Sequence, residues 1–177
     1  MSEPGRASFA DHFREFGHYN AWANARLFAA VSRLTEAQYR EDRGAAFKSV
    51  HGTLNHLLVT DRIWLQRLTG EGNAPDRLDA ILFDSFDGLA DAREKEDQRI
   101  VAFVGRLDDV GLNGTVSYRR ASSPEMQVGQ VAGLLAHWFN HQTHHRGQIH
   151  VLLTGLVGTA PELDLLFYQR LATRSAG

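Results

Sequence analysis

Residues 131–153 read VAGLLAHWFNHQTHHRGQIHVLL, a stretch that combines a helical apolar face with a cluster of histidines. The chain has 9 histidines, and five of them lie between positions 137 and 150. On a helix that turns about 100° per residue, His141 and His145 lie about 40° apart, one turn above the other. The stretch therefore predicts an amphipathic helix with both histidines on its core side. The apolar residues that define that side are Val131, Leu134, Trp138, Ile149, Leu152 and Leu156.

Apolar residues at steps of three and four mark three further long helices. The segment 111–125, rich in Gly, Asn, Ser and Pro, predicts a loop with at most a short hairpin before the fourth helix. We therefore predict an all-α fold, a four-helix bundle, as one domain over residues 1–177. The helices are expected at 9–34, 50–68, 86–107 and about 127–153, with a short terminal helix from Pro161 through Leu171.

Polar residues interrupt two of these apolar stripes. Asn20 is the only polar member of the first stripe, where it could orient a metal ligand or set the register of the core. Arg93 and Glu96 interrupt the third stripe, and their spacing predicts that they pair with each other across one turn.

Composition excludes several classes of protein. The formal net charge is -2 and basic residues are scattered among acidic ones, which argues against nucleic-acid binding. No apolar run reaches the roughly 18 residues of a membrane span, and the polar N-terminus does not resemble a signal peptide, so we expect a cytoplasmic protein. The absence of cysteine excludes disulfides and thiolate metal sites, which leaves histidine and carboxylate as candidate ligands.

Two histidines on the core side of a helix need partners for their ring nitrogens. One metal ion would satisfy a nitrogen of both, whereas ordinary hydrogen bonds in a metal-free bundle are the alternative. A third ligand should come from a facing helix, because bundle sites are built by side chains that project inward. The second helix offers His51 and His56, which lie about 140° apart, so at most one of them faces the site. Periodicity leaves that choice open.

Three motifs in the sequence resemble the DinB/YfiT-like family of metalloenzymes. They are YNAWAN at 19–24, HGTLNH at 51–56 followed by Asp61 and Trp64, and NHQTHHRGQ at 140–148. The resemblance covers nearly the whole chain. It implies a bundle in up-down-down-up order, commonly a homodimer, and it selects His56 as the third ligand beside His141 and His145. It also implies that the divalent metal ion is nickel or zinc, with water in the remaining positions.

The resemblance carries expectations about function. Some relatives use low-molecular-weight thiols as cosubstrates, as S-transferases or in the manner of the maleylpyruvate isomerases. Three protein ligands leave an open position, which favours a metal-dependent transferase or hydrolase acting on a small-molecule substrate. Because the chain lacks cysteine, any thiol would have to arrive as a cosubstrate. The alternative is a noncatalytic, metal-binding stress-response dimer whose ion stabilises the folded state.

Further polar residues could support the metal site without binding the ion. We consider Asn20, Asp61 and Gln148 as candidates for this role, with Gln148 near the mouth of the cavity. For Asp61, exposure to solvent is the alternative. The sequence assigns no role to His51, His137, His144 or His150.

Overall fold

Four long helices form the bundle, as predicted, in a computed structural model that describes residues 8–120 and 123–175. The N-terminal residues that argued against a signal peptide lie almost entirely outside this range. Among the described residues, no helix is long and apolar enough to cross a membrane. The helices are α1 Phe9–Val31, α2 Glu36–Arg40, α3 Val50–Thr69, α4 Phe86–Gly105, α5 Asp109–Asn113, α6 Val131–Val157 and α7 Leu165–Ser175, and the strands are β1 Thr115–Arg120 and β2 Ser123–Gln130.

The ends of the long helices are fixed by local chemistry. Ser8, Ser49 and Ser85 accept hydrogen bonds from backbone N–H groups in the first turns of α1, α3 and α4. Such caps satisfy donors that have no partner inside the helix. Gly70 and Gly158 end α3 and α6 with φ of 76°, a left-handed conformation that glycine adopts without strain.

Facing residue pairs give the direction of each helix. Early residues of α1 face late residues of α4, so these helices are antiparallel, whereas α3 and α4 run parallel. Helix α6 is antiparallel to α3 and parallel to α1. The order is therefore up-down-down-up, as the resemblance implied. The pairs are Gly17/Val104 and Phe28/Phe86 for α1 with α4, and Asn55/Phe83 and Arg62/Glu96 for α3 with α4 and the segment before it. They are Trp64/His137 and His56/His141 for α3 with α6, and Phe16/Phe139 and Asn20/Arg146 for α1 with α6.

The segment before α6 contains the short hairpin that the sequence allowed, but the hairpin extends further than predicted. Strands β1 and β2 form an antiparallel hairpin in which Thr115 lies opposite Gln130 and Tyr118 lies opposite Gln127. The fourth helix was expected to begin near Gln127, but it begins at Val131. The prediction was wrong because residues 127–130 use their backbone in the strand pairing. The first helix also ends at Val31 rather than Leu34, and the short helices α2 and α5 were not predicted.

The interior has two apolar clusters with a polar layer between them. One cluster contains Phe13, Ile100 and Trp138, and the other contains Leu27 and Leu89. The residues between the clusters are buried although they are polar or charged, so they need partners within the protein. This polar layer consists of Asn20, Asn24, Asp61, Arg93, Asp97, Gln142 and Arg146.

Asp61 is the centre of the polar layer and is fully buried. Its carboxylate accepts hydrogen bonds from Arg93 Nη1 at 2.5 Å, from Trp138 Nε1 at 2.5 Å and from Gln142 Nε2. Burial raises the pKa of Asp61 to about 6, whereas Arg93 and the hydrogen bond from Trp138 oppose the shift and favour the ionised form. Arg93 Nη2 lies 2.9 Å from Asp97 Oδ1, which forms a second buried ion pair.

The expected pairing of Arg93 with Glu96 was wrong. Arg93 reaches inward to Asp61 on α3, whereas Glu96 lies close to Arg62 and Arg99. Arg93 pairs with Asp61 on a different helix, about which the periodicity of α4 carries no information, and within α4 it pairs with Asp97, four residues on, instead of Glu96.

Candidate metal centre

Three histidines from two helices, α3 and α6, bring their Nε2 atoms together inside the bundle. His141 Nε2 lies 3.4 Å from His56 Nε2 and 3.1 Å from His145 Nε2. Tetrahedral ligands about 2.0–2.1 Å from a zinc ion are separated from one another by about 3.3 Å. The observed spacing therefore suits a single ion. Helix α6 presents His141 and His145 one turn apart, and antiparallel α3 presents His56 opposite them.

Hydrogen bonds orient two of the three rings. His56 Nδ1 lies 2.7 Å from the carbonyl oxygen of Leu78, and His145 Nδ1 lies 2.8 Å from Gln148 Oε1. Because both oxygens are acceptors, each Nδ1 carries the proton and each Nε2 keeps its lone pair. The Nδ1 of His141 is buried without a hydrogen-bond partner among the described residues. With its proton on Nδ1, His141 would turn a third Nε2 lone pair toward the same point, where one cation could accept all three.

The protonation state of the rings also favours a cation. Burial lowers the pKa of His56 to about 4 and that of His141 to about 3, and the neighbouring His145 contributes to both shifts. Burial lowers the pKa of His145 as well. At neutral pH the three imidazoles are therefore neutral, which is the form that binds a metal ion.

Phe47 supports the centre and was missed in the sequence. Its ring stacks on His56 with 3.7 Å between centroids and 16° between planes, and it meets His145 edge-on at 5.5 Å. The sequence suggested only a turn between Arg43 and Ser49. Phe47 is the one large apolar side chain between Arg43 and Ser49, and this was the available signal, because such a side chain needs an apolar surface to cover.

The residues considered for supporting roles lie in two different places. Gln148 lies beside the centre, where its side chain contacts both His145 and His144. Asp61 and Asn20 lie in the polar layer. They hydrogen-bond to other residues of that layer, and Asp61 also accepts from Trp138, so neither orients the three histidines. The alternative of a solvent-exposed Asp61 was wrong, since Asp61 is 0% exposed.

The remaining histidines of the motifs have separate surroundings. His51 Nε2 lies 3.1 Å from the carbonyl oxygen of Phe83 and helps to hold the start of α4. The ring of His137 packs edge-on against Trp64, with 5.3 Å between centroids. His144 contacts Gln148 at 3.2 Å. His150, on the same helix, is not part of the cluster of three.

A cavity of about 340 Å³ adjoins the centre between α3 and α6. His56 and His141 form one end of this cavity, and Tyr118 of the hairpin lies at the other. Its size suits a small organic molecule. Arg67 lies beside Tyr118 at that far end, and the other lining residues are Thr60, Ile63, Trp64, Leu78, Leu134 and His137.

We expect Gln148→Ala to weaken metal binding by about 10–100-fold, the usual effect of losing a group that orients a metal ligand. The substitution removes the acceptor for His145 Nδ1 and frees the ring to rotate. Competition with a chromogenic chelator would measure the change. Gln169→Ala is the control, because Gln169 bonds Glu15 on a different part of the molecule. Equal affinities for wild type and Gln148→Ala would contradict the assigned role.

Comparison with known proteins finds a family model and a curated relative that match most of the chain. The family model described as "DinB family" matches residues 1–176. The curated protein DinB of Bacillus subtilis (strain 168) is 28% identical over 144 residues, covering 76% of this chain and 80% of the relative.

Two solved structures have a similar fold. One is YfiT from Bacillus subtilis, described as a probable metal-dependent hydrolase with an unusual four-helix bundle topology. It has a TM-score of 0.66 and 16% identity, and the match covers 90% of this chain and 95% of YfiT. The other is a DinB-like protein from Bacillus cereus, with a TM-score of 0.62, 21% identity, and coverage of 86% and 95%. At these sequence identities the similarity to the two solved structures shows the fold alone.

Proposed function

Because the chain belongs to the DinB family, we propose that it is a metal-dependent hydrolase for small organic molecules, with one ion bound by His56, His141 and His145. The observation that carries this proposal is the convergence of three Nε2 atoms at the end of a cavity. The description of YfiT as a metal-dependent hydrolase, a protein of the same fold, supports the choice of reaction.

The donor set favours zinc or nickel as the ion. Three imidazole nitrogens suit borderline divalent transition metals, whereas calcium and magnesium prefer oxygen ligands. Among the residues the structure describes, the group that could hold an ion consists of His56, His141 and His145, without a carboxylate. Geometry and donor type thus both point to the same class of metal.

Three protein ligands correspond to a catalytic site rather than a closed structural one. A structural zinc site normally has four protein ligands, and within the described part of the chain no fourth His, Asp or Glu joins the cluster. When bound, such an ion makes a nucleophile from water or from a thiol at neutral pH. His56 and His141 line the cavity, so a substrate in the cavity would lie next to the open position.

The first experiment is to load the full-length protein with cobalt and to record its visible spectrum with and without azide. An open position predicts that azide shifts the spectrum. Hydrolysis of nitrophenyl acetate and nitrophenyl phosphate is then measured for the zinc, nickel and metal-stripped forms. We expect turnover that disappears on chelation and returns when metal is added. A thiol-transfer assay with added mercaptoethanol separates hydrolysis from thiol transfer.

Two outcomes would contradict the proposal. A cobalt spectrum that does not respond to azide would indicate a closed site, and the ion would then serve stability alone, as in a noncatalytic metal-binding protein. A chain that binds no metal at all would leave the histidines as ordinary core residues. Thermal unfolding of the loaded and stripped forms distinguishes these two cases.

A further inference from the structure

The cavity beside the three histidines carries a charge pattern that the proposed reaction does not explain. Among the residues that the structure describes, its lining includes one side chain of permanent charge, Arg67, and no aspartate or glutamate. The histidines that bind a metal do so in the neutral form, so they do not offset the charge of the ion. A loaded cavity is therefore positive at the metal end and again at Arg67. Such a cavity favours an anion by electrostatic complementarity.

Arg67 is held in a fixed position at the end of the cavity away from the metal ligands. Its guanidinium carbon lies 4.7 Å from the ring centroid of Trp64 and 4.8 Å from that of Tyr118. Its Nη2 donates to the carbonyl oxygen of Arg119 at 2.8 Å. A guanidinium that is already ordered loses little entropy when it binds a ligand, and its planar shape matches a carboxylate.

The separation of the two positive groups limits the length of the ligand. His56 and Arg67 lie on the same helix, and eleven residues of helix correspond to about 16 Å. The guanidinium of Arg67 lies over the ring of Trp64, a residue one helical turn nearer to His56. The wall between them is largely apolar, formed by Ile63, Trp64 and Leu134.

We propose that this cavity selects small organic carboxylates, with the carboxylate on Arg67, an apolar middle against α3 and α6, and the reacting group at the three histidines. This inference rests on the proposed function, since it needs an ion with an open position. It adds a substrate class and a residue that determines specificity.

The test uses thiols as probes, because a thiolate binds the ion and its other end can be varied. Full-length, cobalt-loaded protein is titrated with mercaptohexanoate and with mercaptohexanol. The two thiols have six carbons each and differ at the end away from the sulfur, which is a carboxylate in the first and an uncharged alcohol in the second. We expect wild type to bind the acid about tenfold more tightly, the effect of one charged hydrogen bond. In Arg67→Gln the ratio should fall to about one, while Arg67→Lys should keep part of it.

A length series and a matched control complete the test. Mercaptoacetate is too short to reach Arg67. The ratio of its affinity to that of mercaptoethanol should therefore be the same in wild type and in Arg67→Gln. Arg26→Gln is the control, since Arg26 also lies over two rings, those of Trp22 and Phe167, and donates to a backbone carbonyl, that of Glu162. Arg26 is not among the residues that line this cavity, and its variant should retain the wild-type ratio.

The outcomes separate this inference from the proposed function. If both six-carbon thiols bind wild type equally, or if the preference survives in Arg67→Gln, the inference is overturned and the open metal position remains. If neither thiol binds the loaded protein, the proposed function and the inference both fail. Should Arg67→Gln not fold, the wild-type ratio and the Arg67→Lys variant still decide the matter.

Discussion

Replacing Asp61 by alanine is expected to reduce the free energy of unfolding by about 3–5 kcal/mol, the usual cost of removing one partner from a buried ion pair. The carboxylate is fully buried and accepts from Arg93, Trp138 and Gln142, which belong to two other helices. Its loss leaves the charge of Arg93 undercompensated and two further N–H donors without an acceptor. Urea unfolding of the metal-free forms would measure the change without a contribution from the ion.

Asp79→Ala provides the matched control for Asp61→Ala. Asp79 also pairs with an arginine, Arg77, at 2.8 Å, but both side chains are largely exposed. Solvent screens such a pair, so its removal should leave the urea midpoint almost unchanged. If the two variants lost similar stability, the polar layer could not be a principal source of stability in this fold.

Replacing His141 by alanine is expected to abolish metal binding, from about one ion per chain in wild type to nearly none. His141 lies between the other two ligands, and its Nε2 faces both of theirs. The loss of metal affinity should exceed the roughly 100-fold expected when a residue that orients a ligand is changed, because here a ligand itself is removed. Elemental analysis of tag-free protein purified without added metal is the measurement.

Parallel variants make the result specific. His56→Ala and His145→Ala should behave like His141→Ala, whereas His150→Ala should keep its metal because it lies outside the cluster. Circular dichroism would establish that each variant is still helical. A wild-type protein that is empty and cannot be loaded would refute the metal centre and leave the bundle alone.

Much of the fold could be predicted because the apolar periodicity of a long amphipathic helix can be recognised within its own segment of sequence. The apolar face of 131–153 also identified His141 and His145 without any knowledge of the other helices. Periodicity could not choose between His51 and His56, and the resemblance to a family made that choice. In the structure His56 lies beside His141, whereas His51 is hydrogen-bonded to the backbone carbonyl of Phe83.

The features that escaped prediction depend on contacts between distant segments. The polar layer takes residues from four helices, so the pairing of Arg93 with Asp61 on α3 could not be found within α4. The Leu78 carbonyl orients His56 because of the path of a loop. Every residue has a backbone carbonyl, so the sequence does not indicate which one will accept this hydrogen bond. The late start of α6 depends on pairing with β1, which competes with the helix for the same backbone.

The parallel arrangement of α3 and α4 has a consequence for how fast an ion could leave the protein. Parallel helices need a connection that returns along the bundle, and here residues 70–85 make that return with no buried side chain. The same connection supplies the Leu78 carbonyl that orients His56. Exposed segments open more often than packed helices do. We therefore expect the exchange rate of the ion to follow local opening of this connection, with a half-life much shorter than that of global unfolding.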